Sequence, residues 1–197
     1  MHDRRKISGR ILAVAGGGLL LLGCGGGGAA GGGSRAPTPR VPPAGPLAQA
    51  FVLESSGVPP DDTTTTFAAR ASRVVLLRRG APDNSLFAEI RIAASDSNTA
   101  DSTTLSVRPR PGLYGVELSA SGHAPGRIRL TFSYGLHFVA PADARERYGS
   151  NLVFERTLFV ARLEGERLVY LPSTRPGSDL LSAEVDGPGV YLVASPR

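Results

Sequence analysis

The sequence predicts an all-β fold, an antiparallel β-sandwich spanning residues 48–197, with at most one short surface helix. Three observations predict it. "SLFAEIRIA" (Ser85 to Ala93) and "RIRLTFSY" (Arg127 to Tyr134) alternate apolar and polar residues with period two, the pattern of strands buried on one face. Short apolar runs recur along the chain, separated by "RGAPDN", "DSNTADS", "RPGL", "SGHAPG", "TRPGSD" and "DGPG", clusters of the residues that favour turns. Only one segment reads as a helix.

Taken in order, "RVVLLRR" (Arg73 to Arg79) is the first candidate strand. In "SLFAEIRIA", Leu86, Ala88, Ile90 and Ile92 share one face and Glu89 and Arg91 the other, with Phe87 out of phase. "TTLSVRP" (Thr103 to Pro109) and "LYGVELS" (Leu113 to Ser119) follow. "RIRLTFSY" alternates strictly: Ile128, Leu130, Phe132 and Tyr134 face one way, Arg127, Arg129, Thr131 and Ser133 the other. The one helix is "PADARERYG" (Pro141 to Gly149), about two turns with a Pro start and a Gly stop. The remaining candidates are "LVFERTLFVARLEG" (Leu152 to Gly165), "RLVYLPS" (Arg167 to Ser173), "LLSAEV" (Leu180 to Val185) and "GVYLVA" (Gly189 to Ala194). Glu164-Gly165-Glu166 is a tight hairpin between two of them. Short strands at this spacing fit a sandwich of immunoglobulin-like or related form.

The chain before residue 48 has another character. "MHDRRKISGR" sets Arg4, Arg5, Lys6 and Arg10 against a single Asp3, and Ile11 to Gly23 carries no charge. A basic leader, a short apolar run and small residues at its end make a secretory signal over residues 1–23. Leu21-Leu22-Gly23-Cys24 resembles the lipobox of bacterial lipoproteins. The resemblance implies cleavage before Cys24, a diacylglyceryl thioether on its sulfur and an acylated new amino terminus. The residue types suit that chemistry: a small Gly23 admits the protease, Leu21 fills an apolar pocket, and only a thiol gives a thioether. Each buried CH₂ contributes about 0.8 kcal/mol, so two or more acyl chains anchor stably where one does not. The alternative is an uncleaved helix over Ile11 to Gly33. It has the length to span a bilayer, but its glycines each cost about 1 kcal/mol of helix stability. Arg4-Arg5 resembles the twin-arginine signal for export of prefolded proteins. Lys6-Ile7-Ser8-Gly9 departs from that pattern at the second apolar position and at the lysine, which favours an ordinary basic leader.

Residues 24–47 read as the lipidated cysteine and a disordered tether. Gly25 to Ser34 is almost all Gly and Ala, a flexible coil reaching about 17 Å. "RAPTPRVPPAGP" (Arg35 to Pro46) is proline-rich and, at about 3.1 Å per residue, adds roughly 37 Å. The domain then hangs about 50 Å from the membrane.

Composition excludes several function classes. Of 22 basic and 17 acidic residues, removal of residues 1–23 leaves 18 and 16, a net charge of +2, and all 18 are arginines. The high isoelectric point thus belongs largely to the leader. No basic stripe interleaved with aromatics is present, so nucleic acid is not an expected partner; Arg108, Arg110, Arg127 and Arg129 come nearest to a cluster. A single cysteine leaves no internal disulfide. No metal or cofactor is expected: past the signal the histidines are His123 and His137 alone, too few for a zinc site. "DSNTADS" offers Asp96, Asn98 and Asp101. A calcium loop needs glycine at its sixth position and glutamate at its twelfth, where this chain has Asp101 and Val107, so a polar hairpin loop is the favoured reading over weak calcium binding. No Gly-x-Ser-x-Gly elbow and no Gly-x-x-x-x-Gly-Lys-Ser loop occur. A Ser/His/acid triad from distant strands stays open, because triads are defined by geometry. Glu155, Glu164, Glu166 and Glu184 are candidates for a glycosidase carboxylate pair, although Glu164 and Glu166 flank a turn glycine. With no tryptophan, a stacking platform for sugars is poorly supported.

The last third, "RIRLTFSYG", "LFVARLEGERLVYLPS" and "LLSAEVDGPGVYLVAS", resembles the closing strands of bacterial secreted relatives of the domain named after zonula occludens and netrin-receptor proteins. The similar stretch covers about Arg127 to Ser195. The first half lacks that family's glycine-rich opening and its "Ile-Pro-x-Gly-Ala" turn. The resemblance implies a recognition or structural module with no catalytic residues. The expectation is therefore a lipoprotein held by membrane lipid through Cys24 to the outer or plasma membrane. Its domain, outside the cytoplasm, binds an envelope protein or glycan without catalysis. The alternative is a lipid-anchored hydrolase with a dispersed active site. A histidine brought within reach of a serine and a carboxylate would favour the second.

Overall fold

The structure, a computed structural model, describes residues 40–95 and 101–197. In chain order the strands are β1 (Gly45–Pro46), β2 (Ala50–Val52), β3 (Glu54–Ser55), β4 (Thr63–Ala68), β5 (Arg73–Arg78), β6 (Leu86–Ile92), β7 (Ser102–Pro109), β8 (Gly115–Gly122), β9 (Ile128–Ser133) and β10 (Phe138–Val139). Two helices, α1 (Ala142–Tyr148) and α2 (Asn151–Glu155), precede β11 (Phe159–Glu164), β12 (Arg167–Tyr170), β13 (Ser173–Gly177), β14 (Leu180–Val185) and β15 (Gly189–Pro196). All pairings between strands are antiparallel. One sheet has the order β1-β12-β11-β15-β8-β7-β4, with β2 also on β15, and the other β13-β14-β9-β6-β5; β3 and β10 form a small pair of their own. The all-β sandwich is the observed fold.

The core lies between the two sheets. Leu105, Val107, Val116, Val160, Tyr191 and Val193 of the first sheet join Ile90, Ile128, Leu130, Phe132, Leu181 and Ala183 of the second in one buried cluster. The period-two reading of β9 holds: Ile128, Leu130, Phe132 and Tyr134 are buried, and Arg127 and Arg129 are exposed. Phe87 has its explanation in the register. Leu77 pairs with Ala88 and Arg78 with Leu86, so Phe87 is the extra residue of a β-bulge. The bulge turns its ring inward, stacked on Tyr114 at 5.3 Å and edge-on to Phe132 at 6.2 Å.

The β11–β12 hairpin closes through a two-residue turn, since Glu164 pairs with Arg167. Gly165 has φ of 61° and is the first turn residue, where a two-residue hairpin favours glycine. The helix at Pro141 to Gly149 is present as α1, stopped by Gly149 in the left-handed region with φ of 71°. The strand expected from Leu152 begins only at Phe159. Residues 151–155 are a helical turn instead, because Ser150 caps it by accepting the Val153 N–H at 3.3 Å. Phe154 is its buried residue, while Leu152 and Val153 are exposed.

The outer face of the first sheet carries a second apolar cluster, built on Phe159, Ala161, Leu168, Tyr170 and Leu192 and covered in part by Val41 and Leu47. The fold therefore takes up the chain before residue 48. Gly45 and Pro46, which the sequence reading puts at the end of the tether, pair with Leu168 and Arg167, and the Leu47 N–H donates to the Glu166 carbonyl at 2.7 Å.

Candidate functional site

Cys24 and the lipobox lie outside the described residues, as do Asp96 and Asn98 of the polar loop. What the structure places is the histidines, the carboxylates and the arginines.

His123 follows β8, where the ends of β6 and β8 and the start of β7 converge. Its backbone is fixed on both sides: its N–H donates to Ser102 and its carbonyl accepts from the Thr103 hydroxyl at 2.9 Å. The ring puts Nε2 3.2 Å from the Ser95 hydroxyl and Nδ1 4.0 Å from an Asp101 carboxylate oxygen. Serine on Nε2 and acid on Nδ1 is the order of a hydrolase relay. The acid is, however, beyond hydrogen-bond reach, and its side chain is 64% exposed. Ser95 and Asp101 come from one connection, between β6 and β7, and His123 from the one after β8, so no local motif marks the trio.

His137 is arranged otherwise. Its Nε2 is 2.7 Å from Asp83, and the Ser85 hydroxyl donates to the same carboxylate oxygen at 2.9 Å. The serine thus meets the acid and not the imidazole, which is no relay. The Ser85 hydrogen bond is the main cause that holds Asp83 below its ordinary value; burial opposes it, and the charge and hydrogen bond of His137 add to the lowering.

The glutamates are separately engaged. Glu184 pairs with Arg129 at 3.0 Å and Glu164 with Arg162 at 3.8 Å. Glu166 offers its backbone carbonyl to Leu47 at the hairpin. Glu155 is pushed up, first by burial and then by the charge of Asp179, with Arg175 opposing. Among the described residues, no group of three or more His, Cys, Asp and Glu is placed to hold a metal ion.

Sequence reasoning missed Arg79. It continues the inward set Val75 and Leu77 and is only 2% exposed, so strand parity past Leu77 was the one available signal. Its guanidinium donates to the Ser56 carbonyl at 2.7 Å, the Ser55 hydroxyl at 2.7 Å and the Tyr114 hydroxyl at 2.9 Å. It also lies over the Phe87 and Tyr114 rings, 5.2 and 5.4 Å from their centroids. Oxygens and π-faces satisfy this buried cation, with no carboxylate among its hydrogen-bond partners.

The four arginines that come nearest to a cluster in the sequence divide between the sheets. Arg108 reaches Asp62 at 3.4 Å and Arg110 reaches Glu117 at 4.0 Å, both on the first sheet. Arg127 and Arg129, on the second, are joined instead by Arg73 and Arg91 around a groove of about 310 Å³. Pairing aligns Val74, Arg91, Arg129 and Glu184 in one row across the outer face. Like charges directly opposite repel, and here each arginine has its own acid: Arg91 binds Glu89 through two nitrogens, and Arg129 binds Glu184. Arg73 and Arg127 have no carboxylate partner among the described residues.

Comparison of the whole chain with family models, with curated proteins and with solved structures finds no match.

Proposed function

We propose that the chain is a membrane-anchored bacterial lipoprotein, lipidated on Cys24, whose β-sandwich is a non-catalytic binding or structural module of the cell envelope. The observation that carries this reading is Leu21-Leu22-Gly23-Cys24 at the end of an uncharged run behind a basic leader. The fold supports it through its entry point. The chain leaving the tether meets the sheet directly as β1 and β2, on β12 and β15. Load applied through an anchor then passes into paired strands and not into a loose end. Metabolic labelling with a fatty-acid analogue tests the anchor: the parent takes up label and a Cys24→Ala chain does not.

A second reading, an anchored serine hydrolase, is favoured by one observation, the approach of Ser95 and Asp101 to the two nitrogens of His123. The wide His123–Asp101 separation and the exposed carboxylate weigh against it. An activity-based fluorophosphonate probe separates the two readings. The module leaves the probe unreacted, and the hydrolase is labelled at Ser95 and loses the label in Ser95→Ala.

A further inference from the structure

The groove on the outer face of the second sheet combines three features. Its charge is unbalanced: Arg73, Arg91, Arg127 and Arg129 line it against Glu184 alone. Two of those arginines are already neutralised by Glu89 and Glu184, which leaves Arg73 and Arg127 as exposed cations without a carboxylate partner among the described residues. It also has an apolar side: Val74 of its lining is 47% exposed, and beyond the lining Leu76, two residues along the same face of β5, is 45% exposed. A face meant only for water has no need of alternate Val and Leu beside arginines, whereas a ligand with acidic and apolar groups matches both. Finally, among the described residues no aromatic side chain lines the groove, so they offer no stacking surface of the kind that recognises sugar rings.

We propose that this groove binds an acidic peptide segment of an envelope protein, its carboxylates held by Arg73 and Arg127 and an adjacent apolar side chain resting on Val74 and Leu76. Guanidinium groups suit carboxylates because their paired N–H donors match the two oxygens. The row of Arg91 and Arg129, held in place by Glu89 and Glu184, forms the floor. The inference deepens the binding-module reading and shares its premise of a partner.

The test uses the full-length chain in a neutral detergent and a fluorescein-labelled octapeptide alternating glutamate and valine, read by fluorescence anisotropy. Saturable binding at low salt, weakening at physiological ionic strength, is expected. Arg73→Gln and Arg127→Gln each weaken it about three- to fivefold, as exposed ion pairs do. The double variant weakens it about tenfold or more, and Arg127→Lys retains part of the loss. Arg108→Gln, on the other sheet, binds like the parent. All these positions are exposed, so unchanged melting curves confirm that the variants are folded. Absence of saturable binding, equal affinity for the glutamine counterpart of the peptide, or parent-like binding by the double variant would overturn the proposal. Displacement by polygalacturonate at lower concentration than by unlabelled peptide would also overturn it, in favour of a glycan. None of these results depends on whether Cys24 is acylated, so failure here removes the groove and leaves the anchor standing.

Discussion

Arg79→Ala is expected to cost about 3 kcal/mol, and nearly all of it through packing. The guanidinium sits between two rings at 5.2 and 5.4 Å and donates to three oxygens. Truncation to alanine leaves a cavity where a long side chain stood, which costs about 2–5 kcal/mol in a core. The desolvated cation–π contact that is lost with it, worth about 2 kcal/mol, is offset by the desolvation cost of the cation that is lost at the same time. The hydrogen bonds add little net. Ser55 and Ser56 lie near the surface and rehydrate, Tyr114 keeps its own donation to the Tyr134 carbonyl at 3.1 Å, and the protein no longer desolvates an isolated charge. Arg79→Met separates these effects, since it fills the space without the charge and should stay within about 1.5 kcal/mol of the parent. Urea unfolding followed by circular dichroism measures both. For a chain of this size, 3 kcal/mol corresponds to a fall in Tm of about 6–12 °C. A methionine variant as unstable as the alanine one would refute the reasoning and put the stabilisation in the charge and its hydrogen bonds. An alanine variant within 1 kcal/mol of the parent would show that Arg79 is not buried in solution.

Phe132→Asp should abolish the cooperative melt, because it places a carboxylate at a fully buried position between Ala88 and Leu181; a parent-like melt would put Phe132 on the surface. Residues 40–197 expressed alone should be β-rich by circular dichroism, and residues 48–197 less stable, because the shorter chain lacks β1 and the cover of Val41 and Leu47; equal stability would show that the entry segment does not pack. Tyr170, pushed up to about 12 chiefly by burial, stays neutral in the fold after it would ionise in the unfolded chain. Its contribution is therefore intact below about pH 10 and lost as pH rises towards 12, a loss on the order of 3 kcal/mol; absorbance at 295 nm with a Tyr170→Phe control should show this late titration, and an ordinary titration would contradict it. Asp83 shifts the opposite way, so its stabilisation is present above its ordinary value and fades as pH falls through the lowered one; acid unfolding should come earlier in Ser85→Ala, and an unchanged acid limb would remove the Ser85 hydrogen bond from the account.

The strands that face the core were legible because burial on one side imposes a period of two, and β9 shows it residue by residue. Phe87 broke that period in the sequence, and the break marks the bulge that buries it. Strand β4 was missed for a physical reason. "TTTTFA" has no apolar alternation, and its strand is tied to β7 by hydroxyl pairs, Thr64 with Ser106 and Thr66 with Thr104, each at 2.9 Å. Strand β13 was hidden in "STRPG", where proline and glycine read as a turn, and its pairing with β14 is indeed irregular between Thr174 and Gly177. Helix α2 was hidden by "LVF", whose apolar run suits a strand until the Ser150 cap is seen. The contacts of His123 and the arginine groove depend on pairing between distant strands. Register puts Arg91 opposite Arg129, and nothing in the separate segments announces that neighbour. Arg79 was legible in principle, by continuing the parity of Val75 and Leu77 one step further.

The central claim, that Cys24 carries the anchor, meets its most direct test in mass spectrometry of the N-terminal peptide from protein purified out of its native membrane. The account predicts a peptide that begins at Cys24 and bears a thioether-linked diacylglyceryl group, with a precursor of intact leader and no lipid in Cys24→Ala. A mature chain that retains residues 1–23, or one that carries lipid when Cys24 is alanine, would contradict it.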